Sequence, residues 1–241
     1  MINRISSNLP QAVMKFDIIT LFPDYFTSPL NESLVKKAIA NKILDITTID
    51  LRDYSELPHK QVDDSPYGGG AGMILKVDIL AKAVKATKRA NSLVILPDPS
   101  GKKFDQSLAN QLATKEHLIF VCGRYEGVDQ RFREKYVDLE ISLGDYVLSG
   151  GEAATLVILE TIARLIPGVI GNAESLEAES FSQADGKLLE YPQYTRPEIF
   201  EDLKVPDILL SGDHEKIKKW RLEMSLEKTK RLRTDLLEKK S

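Results

Sequence analysis

The chain has 241 residues, of which 42% are hydrophobic and 29% charged, with a net charge of −3. These values fit a soluble globular protein, as one large domain or two small ones, with a sizeable core. The single cysteine, Cys122, excludes an internal disulfide, and the longest apolar run, AATLVILETIARLI, is interrupted by Glu160 and Arg164 and too short to span a bilayer.

The opening residues MINRISSNLPQAV lack the long apolar centre of a secretory signal. Residues 1–13 read as a loose, disordered extension. Their lack of acids leaves an organelle-targeting reading open, but the bulk numbers and the lone thiol favour a reducing, cytoplasmic setting without membrane contact. FDIITLF (16–22) predicts a strand, and NESLVKKAIANKIL (31–44) a helix capped by Asn31. DITTIDL (45–51) is a second strand; 78–90 is helical; LVILP (93–97) is a strand; 105–114 is helical; and HLIFVC (117–122) is a strand that buries Cys122 and makes His117 structural. A short helix near 129–136 precedes the strand VDLEISL (137–143), and a long apolar helix runs from Gly151 to about Ile166. Strand–helix alternation of this kind predicts a parallel, helix-covered α/β sheet.

Pro167-Gly168 stops the last helix, and the polar, aperiodic stretch that follows is long enough for a functional linker. Short amphipathic helices are expected from about Glu198. From His214 onward there are ten Lys or Arg against five Asp or Glu, a local +5 that leaves −8 for the rest of the chain. A basic tail on an acidic body suits a polyanion partner and equally a solvated helical face.

Several chemistries are set aside. LFPDYF, after the first strand, has no glycine, so the dinucleotide fingerprint is missing. There is no phosphate-binding lysine loop and no serine elbow, and His59, His117 and His214 are not in metal spacing, so no metal site is expected. Glycine punctuation remains. SPYGGGAGM (65–73) stands apart. PDPSG (97–101), CGRYEG (122–127) and LGDYVLSGGE (143–152) each follow a predicted strand, which puts them on one rim of a parallel sheet, where ligands bind. Almost bare of cations beyond Arg124, these loops suit a neutral heteroaromatic ring held by main-chain groups better than a phosphate.

The stretches FDIITLFPDYF, VDDSPYGGGAGM, FVCGRYEGVDQR, ISLGDYVLSGGE, RLIPGVIG, YPQYTRPE and LLSGDHEKIKKWR, in this order from Met14 to the end, resemble the bacterial tRNA (guanine-N1-)-methyltransferase family. The pairing of GRYEGVD with GDYVLSGGE is the most specific part. The resemblance implies a parallel α/β domain with a deep trefoil knot of the SPOUT type over 14–168, a linker over 169–197, and a small all-helical domain that binds tRNA over 198–241. It also implies a homodimer whose active site is shared between subunits, and magnesium assistance. A knot is not readable from composition or periodicity, and folds in general avoid one.

By motif match, the family's S-adenosylmethionine site corresponds to Leu143, Gly144, Asp145, Tyr146, Val147, Leu148, Gly150 and Gly151 on the adenine side. Gly123, Tyr125, Glu126 and Gly127 correspond to the ribose and methionine side, and Leu96, Pro97 and Pro99 complete the wall. Asp63, Tyr67 and Gly72 would form the guanine pocket; Lys218, Lys219 and Arg221, with Lys230, Arg231 and Arg233, would hold the RNA backbone. The reaction implied is methylation of N1 of the guanosine immediately 3′ of the anticodon. That nitrogen carries a proton, so a base must remove it, and charge develops at O6. Arg164, in TIARLIPG, matches the family arginine, and helix capping is its structural alternative. The family pattern Asp-Ser-Phe here reads Glu179-Ser180-Phe181, which makes Glu179 the expected base, with Glu177 and Asp185 as fallbacks. Two rivals stand beside this reading: a tRNA-binding protein with a non-catalytic pocket, and a nucleotide-binding oxidoreductase, the latter disfavoured by the missing glycines.

Overall fold

The computed structural model describes residues 13–172, 179–182 and 188–237. The predicted extension lies outside these residues except for Val13. The chain divides into two compact units, Met1–Gly171 and Asn172–Ser241.

The first unit is built on five parallel strands: β1 (Met14–Thr20), β2 (Leu44–Asp50), β3 (Ser92–Lys103), β4 (His117–Val121) and β5 (Leu139–Ser142), in the order β2-β1-β4-β3-β5. The helices are α1 (Ser33–Ala40), α2 (Val77–Thr87), α3 (Gln106–Leu112), α4 (Gln130–Tyr136) and α5 (Glu152–Ala163). Successive side chains of a strand point to opposite faces, so a sheet covered on both sides needs apolar residues at nearly every position. The central strands meet this demand. Phe16, Ile18, Leu118, Phe120 and Ile95 pack with Ala38 of α1, Leu108 of α3 and Ile158 of α5, while Ile19, Ile119, Val121, Val94 and Leu96 pack with Leu80 of α2 and Phe132 of α4. Phe16 and Phe120 stack at 6.4 Å between centroids.

Two expectations change. Asn31 does not cap α1: its amide donates to the Thr27 carbonyl at 2.8 Å, closing the preceding turn, and α1 starts at Ser33 after Glu32. The strand predicted to stop at Pro97 continues to Lys103. The chain bulges out after Pro97 and rejoins β5 at Lys102, so Ile141 faces both residues. Gly101 makes the return possible, because a Cβ there would strike the Glu140–Ile141 backbone. Elsewhere the acids the sequence places before helices cap them: Asp105 accepts from Leu108 N (2.8 Å) and Asp129 from Arg131 N (2.9 Å). His117 is buried at the start of β4 between Asp17 (2.8 Å) and Ser92 (2.7 Å), as its structural reading requires.

The second unit is organised by α6 (His214–Leu232), capped by Asp213 through Lys216 N at 3.1 Å. Thr229, fully buried, donates to the Ser225 carbonyl and accepts from Leu189 N at 2.9 Å, while Lys228 Nζ reaches the Glu190 carbonyl at 2.9 Å. The unit is not purely helical. Ile199–Phe200 and Leu203–Lys204 pair as a small antiparallel hairpin, tightened by Val205 N donating to the Glu198 carbonyl. Of the stretch expected as a linker, 169–197, the described residues from Asn172 on fall within this unit.

Candidate active site

At the carboxyl edge of the sheet the three predicted loops converge on a cleft of about 240 Å3. The bulge within β3 supplies Pro97 and Pro99; the loop after β4 supplies Gly123, Tyr125, Glu126 and Gly127; the loop after β5 supplies Leu143, Gly144, Tyr146, Val147, Leu148, Gly150 and Gly151. Strands β4 and β5 are not neighbours, yet their loops are stitched together: Gly151 N donates to the Gly123 carbonyl at 2.9 Å, and Arg124 and Gly150 form a bridge. The approach is close enough to require glycine, since a Cβ on Gly151 would lie 2.9 Å from Cys122 Cα, against backbone that cannot swing aside. Tyr125, Tyr146 and Val147 remain exposed on the lip.

Two charged groups of the cleft, Asp98 and Arg124, are paired. Asp98 and Arg133 form a salt bridge, and Arg133 also meets Glu140 at 2.9 Å. Burial pushes the Asp98 carboxyl up, but hydrogen bonds from Arg133 and Ser100 outweigh it and hold the group below the usual carboxylate range. Arg124 Nε lies 2.9 Å from Oε2 of Glu152, which is only 1% exposed, and Thr20 Oγ1 donates to the other carboxylate oxygen at 2.8 Å. Behind this pair, burial and then the Glu152 charge push the Cys122 thiol far up.

Of the residues expected to line the cofactor wall, Leu96 and Asp145 do not. Leu96 is buried in the core, and Asp145 is exposed in the β5 loop and is not among the residues lining the cleft. Gly72 packs against Glu126, and the Met73 carbonyl accepts from Glu126 N at 3.0 Å, so the 65–73 loop borders the cleft. Asp63 sits beside it in a two-residue ladder, opposite Leu75, and Tyr67 is fully exposed. Arg164 caps the far end of α5 in a separate hollow of about 310 Å3 with Leu30, Leu34 and Leu159. Glu179 lies in the second unit, in a turn where its carbonyl accepts from Ser182 N at 3.1 Å. Glu177 and Asp185 lie outside the described residues. On α6, Lys218 is exposed, Lys219 lies 3.9 Å from Glu223, and Arg221 covers the Tyr191 ring at 4.8 Å.

The family model for tRNA (guanine-1)-methyltransferase matches residues 14–239. The chain belongs to this methyltransferase family. It is 54% identical over 224 residues to the tRNA (guanine-N(1)-)-methyltransferase of Carboxydothermus hydrogenoformans, covering 93% of this chain and 87% of that one. Identity to the proteins of the same name from Dictyoglomus turgidum and Geobacter sulfurreducens is 50% over 229 residues and 51% over 228, with at least 92% of each chain covered.

For a chain of this methyltransferase family, sequence reasoning missed the polar groups supporting the cleft: Thr20, Asp98, Arg133 and Glu152. Glu152 carried a signal, being an acid at the head of a largely apolar helix that is buried on its inner face. The pairing of Glu152 with Thr20 had none, because the two are 132 positions apart. A further hollow, of about 710 Å3 within the second unit, is lined by Tyr191, Tyr194, Arg196 and Arg221 and was likewise unforeseen. Among the described residues, no group of three or more His, Cys, Asp or Glu is gathered to hold a metal ion.

Proposed function

We propose that this chain methylates N1 of the guanosine immediately 3′ of the anticodon in tRNA, drawing the methyl from S-adenosylmethionine, with Glu179 as general base. The observation that carries the reading is the single cleft built from three strand-end loops, walled by glycine and proline and holding Arg124 as its one lining cation among the described residues. Main chain of the glycine-bounded loop Leu143–Gly151 lines the cleft opposite Pro97 and Pro99, so polar backbone stands beside apolar walls and the residues fit the cofactor. When bound, the cofactor supplies an electrophilic methyl on a sulfonium. The chain's own part is to orient that group and manage charge on the guanine. Glu179 takes the N1 proton, and Arg164 faces the charge growing on O6. Asp63, Tyr67 and Gly72 border the space for the flipped base, and Lys218, Lys219 and Arg221 hold the RNA backbone.

Arg164 sits at the opposite end of α5 from Gly151. Twelve helical residues at 1.5 Å each put it about 18 Å along the axis from the cleft. One chain therefore does not bring its own Arg164 to its own cofactor, which supports a homodimer with a shared site. The stitching of the β5 loop back across to the β4 loop, past the bulge of β3, supports the trefoil knot. Magnesium, implied by the resemblance, is given no residues and no step. The cytoplasm is the setting that tRNA modification asks for, and no helix among the described residues is long and apolar enough to cross a membrane.

Methyl transfer to anticodon stem-loops, compared for the wild type, Glu179→Gln and Arg164→Ala, tests the assignment. Both variants are expected to lose most turnover while cofactor affinity holds. Full turnover in Glu179→Gln would move the base elsewhere, and tRNA binding without cofactor binding in the wild type would favour the non-catalytic reading.

A further inference from the structure

Arg124 reaches the cleft from the loop after β4 and is the only Lys or Arg lining it among the described residues. Its side chain is 20% exposed. The guanidinium lies 4.5 Å over the Phe22 ring, and Nη1 donates to the Ser149 carbonyl at 3.3 Å, which holds the group in the wall rather than in solvent. Glu152 stands behind it at 2.9 Å, 1% exposed, with Thr20 fixing its second oxygen. The neighbouring charges are otherwise committed or acidic: Asp98 is engaged by Arg133, Arg133 also by Glu140, and Glu126 lines the cleft as a carboxylate.

Burying an ion pair of this kind gains little net stability, because two charges leave water for one contact, and an apolar pair would fill the space as well. A functional reason is found in the ligand. The methyl donor carries a full positive charge on sulfur, and its demethylated product, S-adenosylhomocysteine, does not. An uncompensated guanidinium in the wall would repel the donor and spare the product. We infer that Glu152 is a specificity-determining positioning residue: it cancels the charge of Arg124 and pins that side chain across the seam of the two glycine loops, so that the cleft accepts the cationic donor over the neutral product. The inference rests on the cleft being the S-adenosylmethionine site.

Calorimetric titration of the full-length protein with S-adenosylmethionine and with S-adenosylhomocysteine, at low salt and pH 8, tests it. Glu152→Gln keeps the acceptor for Thr20 and removes the charge; it is expected to weaken donor binding relative to product binding by about tenfold, an effect that salt reduces. Arg124→Gln is expected to shift the ratio toward the donor, and the double variant to return it to within about twofold of wild type, as a coupled pair requires. A purely structural role predicts equal weakening of both ligands in Glu152→Gln, and that result overturns the inference. If thermal melting shows that Glu152→Gln does not fold, Arg124→Gln decides alone, and an unchanged ratio overturns the inference. Wild type that binds neither ligand would sink the cofactor reading itself.

Discussion

Glu179 carries its carboxylate one methylene farther from the backbone than the aspartate of the family pattern. A displacement of about 1 Å is large for a group proposed to meet one proton on one nitrogen. Removing its charge in Glu179→Gln is expected to lower kcat by about a hundredfold or more, the usual worth of a positioned base, while the KM for S-adenosylmethionine stays put. Single-turnover methylation on a stem-loop measures this directly. Cys122 presents the opposite case, a thiol close to the cleft that does no chemistry. It is buried, shares a 3.3 Å contact with Thr155 Oγ1, and is kept protonated by its surroundings. Native protein at pH 8 is therefore expected to resist alkylation by iodoacetamide and to react fully once unfolded in guanidinium. Mass spectrometry of the modified chain reads the difference, and rapid native labelling would mean the site opens on its own.

Gly151 is the hinge between a loop and a helix, and the consequences of altering it belong to the element. Its missing Cβ lets the start of α5 press on Cys122–Gly123, which keeps the ends of β4 and β5 in contact across the intervening strand. Gly151→Ala is expected to push the two loops apart and to weaken S-adenosylmethionine binding at least about tenfold, with a smaller loss in Tm, because the core beneath is untouched. Calorimetry with parallel thermal melting separates the two effects. The central strands were legible because both faces are covered and nearly every residue is apolar, as in LVIL and HLIF. The excursion of β3 was not. Pro97, Asp98, Pro99 and Ser100 read as a loop, and the return to pairing at Lys102 depends on β5, whose sequence lies almost forty residues later.

For the molecule as a whole, the informative quantity is the separation of charge, with a basic C-terminal segment attached to an acidic body. If Lys218 and Lys219 meet phosphates, Lys218→Glu with Lys219→Glu should weaken tRNA binding uniformly across anticodon sequences. The slope of log affinity against log salt should fall by about two, one for each phosphate no longer neutralised. Filter binding over a salt series gives that slope, and an unchanged slope would show that these lysines are merely solvated. Cofactor binding, proposed for the cleft of the first unit, is expected to stay as in the wild type.

The sequence alone determined the α/β class, the strand-end glycine loops and the family, since these reside in short-range patterns: apolar strand runs, their alternation with helical stretches, and contiguous motifs. Only the tertiary structure decided which loops meet, that Thr20, Arg124 and Glu152 form one cluster, and that Arg164 lies at the end of α5 away from the cleft. Those facts rest on pairings between residues as much as 132 positions apart, and no local pattern encodes them, because strand order and burial emerge only when the whole sheet is assembled.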